Sequence, residues 1–360
     1  MRRAGTWIGG GAMMWRHGGG RSGWARWRGG SARRRAGAGW LALGAVLALY
    51  PATARAQEVA APGAAVEEAA TVTVPAGTLH GTLLVPATVE GPVPVALIIA
   101  GSGPTDRDGN NPLIPGRNDS LKLLAEALAA KGIASLRYDK RGIGASREAG
   151  LDEAAVVFDD FVDDAVAWVR QLEADRRFSR VVIVGHSEGS LIGAIAARRG
   201  GVAGFVSVAG MGRPAQEVLR EQLRAQLPPA IMADAEAILD ELEAGRTVDS
   251  VPPSLNTVFR TSVQPFVISL FRYDPAAEVA RLEVPVLIVQ GTTDIQVGVE
   301  EARVLADARP DARFVLIEGM NHVLKEAPAD RMANVATYGD PSLPVVPRLI
   351  EEVASFILGS

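Results

Sequence analysis

Cysteine is absent from the 360-residue chain, which excludes disulfides, thiolate nucleophiles and cysteine-held zinc or iron–sulfur centres. Any covalent chemistry has to use oxygen or nitrogen atoms, or a cofactor. Histidine is scarce, with four residues at positions 17, 80, 186 and 322. Acidic residues are missing before Glu58, a stretch that holds the ten arginines Arg2, Arg3, Arg16, Arg21, Arg26, Arg28, Arg33, Arg34, Arg35 and Arg55. Aromatic residues make up 5 % of the chain, and five of the six tryptophans lie in that same stretch. No apolar run reaches the roughly 20 residues that a spanning helix requires, which disfavours a membrane-embedded bundle.

The N-terminal stretch has two readings. Arginines interleaved with tryptophans suit a disordered nucleic-acid-binding arm. The order of its parts favours another. Arg33, Arg34 and Arg35 precede the apolar or small run "AGAGWLALGAVLALY", and "PATARAQ" then offers Ala54-Arg55-Ala56 as a small-x-small cleavage site. That succession is the layout of a secretory signal, so residues 1–56 are expected to be a leader removed after Ala56. The mature protein would then be periplasmic or secreted; a retained N-terminal membrane anchor is the competing outcome. Loss of the leader takes the formal net charge from −4 down by ten to about −14. Such an acidic surface disfavours nucleic acid and anionic membranes as partners. Residues 57–69 are low in complexity and are expected to be a flexible lead-in, with order beginning near Ala70.

From there, apolar runs and helical patterns alternate. "TVTV" and "LHGTLLVP" read as two strands joined by a turn, and "VPVALIIAG" as a strand buried on both faces. Leu121, Leu124 and Leu128 are spaced for a helix that stops at Gly132. Further strand–helix units follow at "IASLRYD", "RVVIVGH", "VAGFVSVAG", "VPVLIVQG" and "RFVLIEG". This alternation predicts one α/β domain over 70–360, with a mostly parallel, eight-stranded sheet covered by helices on both faces and an antiparallel start. Residues 212–278 interrupt the alternation with helical sequence. An insertion of that size at the carboxyl edge of a sheet is placed to act as a lid, although a plain structural excursion would have the same pattern.

Within "VVIVGHSEGS", Ser187 stands between Gly185 and Gly189 at a strand-to-helix corner. Gly-x-Ser-x-Gly alone is a weak signal in a chain with 39 glycines. Its context strengthens it, because a serine on such a corner is held in a strained backbone that tolerates only small residues two positions away. A serine hydroxyl then needs a base within hydrogen-bond reach, itself oriented by a third group. His17 falls in the leader, His80 in an early strand, and His186 is expected to point away across the turn. His322, in the loop after the last strand, remains. Asp294, three residues beyond the end of the strand "VPVLIVQG", is the preferred acid over Asp274 and Glu318. The main-chain N–H groups of Glu188 and Ser102 are the candidate oxyanion donors. The Glu188 side chain is expected to turn away from the oxyanion, toward Arg107 or Arg141.

Taken together, "AGSGPTDRDGN", "LRYDKRGIGAS", "VGHSEG", "VPVLIVQGTTD" and "GMNH" occur in the order found in α/β-hydrolases, and the chain from about 70 to 358 resembles their bacterial esterase and serine-aminopeptidase-like branch. The resemblance implies hydrolysis of small-molecule carboxylic esters through an acyl-enzyme, with no metal or organic cofactor. It also implies that the serine, histidine and aspartate roles fall on Ser187, His322 and Asp294. The same machinery would serve peptides, thioesters or acyl transfer, and a noncatalytic binding protein on the same fold is the alternative of another class. One departure is Ala100, where relatives often carry histidine ahead of the oxyanion loop. Asp106, Arg107 and Asp108, with Asp139 and Arg141, are expected to form a charged network behind that loop.

Overall fold

Among the described residues, the apolar runs "VPVALIIAG", "RVVIVGH" and "VPVLIVQG" become strands whose alternate residues face opposite layers of helix. The computed structural model describes residues 65–87 and 90–359. The expected leader, residues 1–56, lies outside the described residues, as do 57–64 of the lead-in. The order of elements is β1 (Ala65–Val74), β2 (Gly77–Pro86), β3 (Val93–Ile99), α1 (Ser120–Ala129), β4 (Ala134–Tyr138), α2 (Phe158–Ala174), β5 (Phe178–His186), α3 (Glu188–Arg198) and β6 (Gly204–Val208). Then come α4 (Ala215–Gln226), α5 (Pro229–Glu243), α6 (Asn256–Phe259), α7 (Gln264–Leu270) and α8 (Pro275–Ala280), followed by β7 (Val286–Gly291), α9 (Val299–Ala308), β8 (Arg313–Ile317), α10 (Arg331–Ala336) and α11 (Pro347–Leu358).

The eight strands form one sheet in the order β1-β2-β4-β3-β5-β6-β7-β8. β1 pairs antiparallel with β2 and β2 with β4, and every other neighbour is parallel. The mostly parallel α/β sheet with an antiparallel start is therefore as the sequence pattern implies. Val95, Leu97 and Ile99 of β3 pack into a core shared with α2, α3 and α9, while Ala96 and Ile98 pack into a second core shared with α1 and α11. That two-sided burial is why β3 reads as an unbroken apolar run. Order begins earlier than expected: β1 starts at Ala65, which pairs with Pro86, so the flexible lead-in assigned to 57–69 overlaps a strand. Residues 65–69 are mostly exposed and are held by ladder hydrogen bonds to β2, a form of order that hydrophobic patterning does not register.

Between β6 and β7, helices α4 to α8 occupy the stretch whose sequence broke the alternation. Leu223, Ile238, Leu239, Leu242, Leu255 and Phe259 give this stretch an apolar cluster of its own. α7 is fastened to the main core, where Phe266 meets the ring of Phe158 edge-on with centroids 6.0 Å apart. The entry to the stretch is tied to α9, because Glu301 accepts hydrogen bonds from the main-chain N–H groups of Gly212 and Arg213 and from the Arg213 guanidinium. Among the described residues no helix is long and apolar enough to cross a membrane.

Candidate active site

β5 ends at His186 and α3 begins at Glu188, so the chain has a single residue, Ser187, in which to reverse direction. Ser187 adopts φ 55° and ψ −123°, a conformation that non-glycine residues rarely take and that stores about 1–3 kcal/mol of strain. Two close approaches hold it there. A Cβ on Gly185 would lie 2.3 Å from the main-chain oxygen of Gly189, and a Cβ on Gly189 would lie 2.3 Å from that of Ile99. The glycines flanking the serine are thus required by packing of the corner against itself and against the end of β3.

His322 and Asp294 come from the loops after β8 and β7, the two strands at the far side of β6 from β5. His322 Nδ1 and Asp294 Oδ2 are 2.8 Å apart, with both side chains buried. The other oxygen, Oδ1, accepts the main-chain N–H groups of Gln296 (2.8 Å) and Val297 (2.9 Å). Gln290 adds a weaker contact from Nε2 to Oδ2 at 3.3 Å. Burial pushes the Asp294 carboxyl up, but His322 and the two N–H groups outweigh it and hold the group below the usual carboxylate range. An ionised carboxylate only accepts hydrogen bonds, so Asp294 selects the neutral tautomer with the proton on His322 Nδ1 and the lone pair on Nε2. No hydrogen bond joins Ser187 Oγ to His322 Nε2, and neither atom has another partner among the described residues.

His186 bridges the serine corner to the histidine loop. Its ring centroid is 4.8 Å from that of His322, and its Nε2 donates to the main-chain oxygen of His322 at 2.8 Å. Burial, with His322 next, drives the His186 pKa down to about 3, so the ring is neutral in ordinary buffers. The sequence-based expectation that His186 points away from the serine leaves out this second role, as a support for the neighbouring loop. Two buried asparagines also tie the loops together. Asn321 donates to Thr337 Oγ1 (2.7 Å) and Asn334 Oδ1 (3.3 Å), and Asn334 donates to the main-chain oxygen of Thr293, beside Asp294 (2.8 Å).

The two expected oxyanion donors sit on either side of the corner. Glu188 is the first residue of α3, where an N–H has no intrahelical acceptor. The Ser102 N–H has no acceptor among the described residues, and its neighbour Gly101 lies so close that a Cβ there would be 3.0 Å from the Ser187 Cβ. The Glu188 side chain does not reach Arg107 or Arg141; it pairs with Lys140 at 3.0 Å. Arg107 is bound to Asp139 at 2.7 Å, and Arg141 to Asp164 of α2 at 2.7 Å, so both were already committed. The charged network behind the loop accordingly divides: Arg107 meets Asp139, Arg137 meets Asp108 at 3.1 Å, and Arg141 belongs to α2.

The other acids considered from sequence are elsewhere in the fold. Asp274 caps α8 by accepting the Ala277 N–H, and Glu318 is exposed on the turn after β8. Among the described residues no group of three or more His, Asp or Glu is arranged to hold a metal ion.

Comparison with known proteins agrees with this architecture. Residues 114–327 match the family model described as serine aminopeptidase, S33. Esterase EstD of Thermotoga maritima is 28 % identical over 239 residues, which are 65 % of this chain and 55 % of EstD. This chain thus spans little more than half the length of that relative. Rhodomycin D methylesterase DauP of Streptomyces sp. is 27 % identical over 261 residues, 61 % of this chain and 87 % of DauP. Among solved structures, Est1E from Butyrivibrio proteoclasticus superposes with a TM-score of 0.53 at 16 % identity, over 81 % of this chain and 99 % of Est1E. At that identity the likeness carries the fold alone.

Proposed function

The chain belongs to the serine aminopeptidase S33 family of α/β-hydrolases, and on that premise we propose that it is a serine hydrolase cleaving carboxylic esters of short to medium acyl length through an acyl-enzyme. The observation that carries the reading is the buried 2.8 Å contact of His322 Nδ1 with Asp294, beside a strained Ser187 whose hydroxyl is uncommitted.

In the proposed reaction Ser187 Oγ attacks the acyl carbon while His322 Nε2 takes its proton. The ionised Asp294 stabilises the imidazolium that results. The carbonyl oxygen, now an oxyanion, is held by the N–H groups of Ser102 and Glu188, and α3 presents its positive end to the same place. Collapse expels the alcohol, which receives the proton from Nε2. Water then repeats the cycle on the acyl-enzyme and releases the acid.

An ester is favoured over an aminopeptide by the state of the acids. Binding a free α-ammonium calls for an uncommitted carboxylate, and Glu188 and Asp294, beside the proposed nucleophile and base, are held by Lys140 and His322. The esterase names of two relatives point the same way. Helices α4 to α8 are proposed to form a lid bordering the acyl site, and the leader to direct export with the mature chain starting at Gln57. The test is a panel of p-nitrophenyl esters of rising acyl length beside an aminoacyl-anilide, with fluorophosphonate labelling of wild type and Ser187→Ala. Short to medium esters should be cleaved, and the label should depend on Ser187. Faster turnover of the anilide would replace esterase by aminopeptidase, and labelling that persists in Ser187→Ala would remove the serine mechanism.

A further inference from the structure

Lys140 and Glu188 form an ion pair in a place where charge is expensive. Both side chains are almost wholly buried, at 2 % and 5 % exposure, with Lys140 Nζ 3.0 Å from Glu188 Oε2. A buried pair is a poor source of stability, since desolvation of the two ions offsets most of their attraction. Its presence is better explained by what it positions.

The ammonium group has three directed donors. One goes to Glu188. The second goes to the main-chain oxygen of Gly101 at 2.6 Å. The third side of the group faces the ring of Phe161, with Nζ 5.2 Å from the centroid. Gly101 C=O and Ser102 N–H belong to one peptide unit, which is planar and trans, so they point in opposite directions. Lys140 therefore fixes the plane of the peptide that carries one oxyanion donor. Through its other contact it fixes the side chain of the residue whose N–H is the second donor.

We propose that Lys140 and Glu188 are positioning residues that lock the two oxyanion donors, on the loop after β3 and at the start of α3, into one rigid unit. The pair does a second thing that depends on sign. An unpaired Glu188 carboxylate would stand beside the oxyanion as it forms and oppose it, and the Lys140 ammonium cancels that field. Removing the cation is then worse for the reaction than removing the anion. A role in folding alone predicts no such asymmetry. The inference rests on the esterase reading above, and its test separates the two.

The experiment measures kcat and KM for p-nitrophenyl butyrate in wild type, Lys140→Met, Glu188→Gln, the double variant and Ser187→Ala, with urea unfolding of each. The hydrolase reading stands on the wild type and Ser187→Ala alone. For the positioning role we expect Lys140→Met to lose on the order of 100-fold in kcat with KM within about threefold, the scale of losing one oxyanion donor. Glu188→Gln should keep at least about a tenth of wild-type kcat. Adding Glu188→Gln to Lys140→Met should recover about threefold, to a kcat still below that of Glu188→Gln, because it removes the unpaired carboxylate but does not restore the donor geometry. Should Lys140→Met fail to fold, the double variant, which buries no net charge, carries the test through its kcat relative to Glu188→Gln. The inference is overturned if Lys140→Met stays within threefold of wild type, or if the two single variants lose kcat equally. It is also overturned if the double variant gains nothing over Lys140→Met, or matches Glu188→Gln.

Discussion

His186 Nε2 donates to the main-chain oxygen of His322 at 2.8 Å, so the residue immediately before Ser187 supports the loop that bears the proposed base. The serine corner and the histidine loop, 136 residues apart in the chain, are thereby held in register by a bond that does not use the His322 ring nitrogens.

The burial of the His186 ring has a pH signature. His186 is held neutral by burial, with its pKa lowered from 6.5 to about 3. Between those values the unfolded chain binds a proton that the folded chain refuses, so stability is full above about pH 6.5 and declines as pH falls toward 3. Urea unfolding from pH 8 to pH 4 should show this decline in wild type and less of it in His186→Asn. Equal slopes would mean that the ring is not buried as described.

Replacing Asp294 with asparagine leaves the shape of the site intact but removes the acceptor that fixes the His322 tautomer. In the proposed reaction kcat should fall by about 10⁴ with little change in KM, the size seen when an acid of this kind is neutralised elsewhere. Steady-state kinetics on p-nitrophenyl butyrate decide it. A loss below tenfold would show that another group orients the imidazole.

Gly189→Ala should damage the corner through sterics alone. The new Cβ would meet the main-chain oxygens of Ile99 at 2.3 Å and Ala100 at 2.8 Å, and backbone cannot swing aside as a flexible side chain can. A loss of about 1–3 kcal/mol in urea unfolding is expected. Activity should fall further than stability requires, because the loop proposed to hold the oxyanion follows directly on Ala100.

Asp164→Ala probes the buried ion pair outside the site. Asp164 accepts both Nε (2.8 Å) and Nη2 (2.7 Å) of Arg141 with no solvent exposure of its own. Removing it leaves a guanidinium half-stranded under α2, at a cost of about 3–5 kcal/mol. The folded fraction that remains should keep its kcat. A stable variant with impaired kcat would place this pair in the reaction after all.

The histidine loop offers a milder perturbation. Asn334→Ala cuts the link from Asn321 to the main chain of Thr293, while leaving His322 and Asp294 in place. A drop in kcat of about tenfold, with slower fluorophosphonate labelling that still reaches the wild-type extent, is expected, since misplacing the base slows serine attack without removing it; an unchanged kcat would show that the link does not position the loop.

The local pattern of the sequence determined a good deal about this protein. Unbroken apolar runs at β3, β5 and β7 dictated strands buried on both faces, and the spacing of Leu121, Leu124 and Leu128 dictated α1, because burial repeats with the period of each element. Scarcity narrowed the site: with four histidines and no cysteine, elimination left His322 as the proposed partner for Ser187. What tertiary structure alone decided were the partnerships between charges. Lys140, Arg141 and Arg107 lie close together in the chain or on adjoining loops, and nothing in their order says which of them meets Glu188. That choice is made by the direction in which the chain after β4 delivers each side chain, and by Asp164 of α2 and Asp139 after β4, which claim Arg141 and Arg107 and leave Lys140 for Glu188.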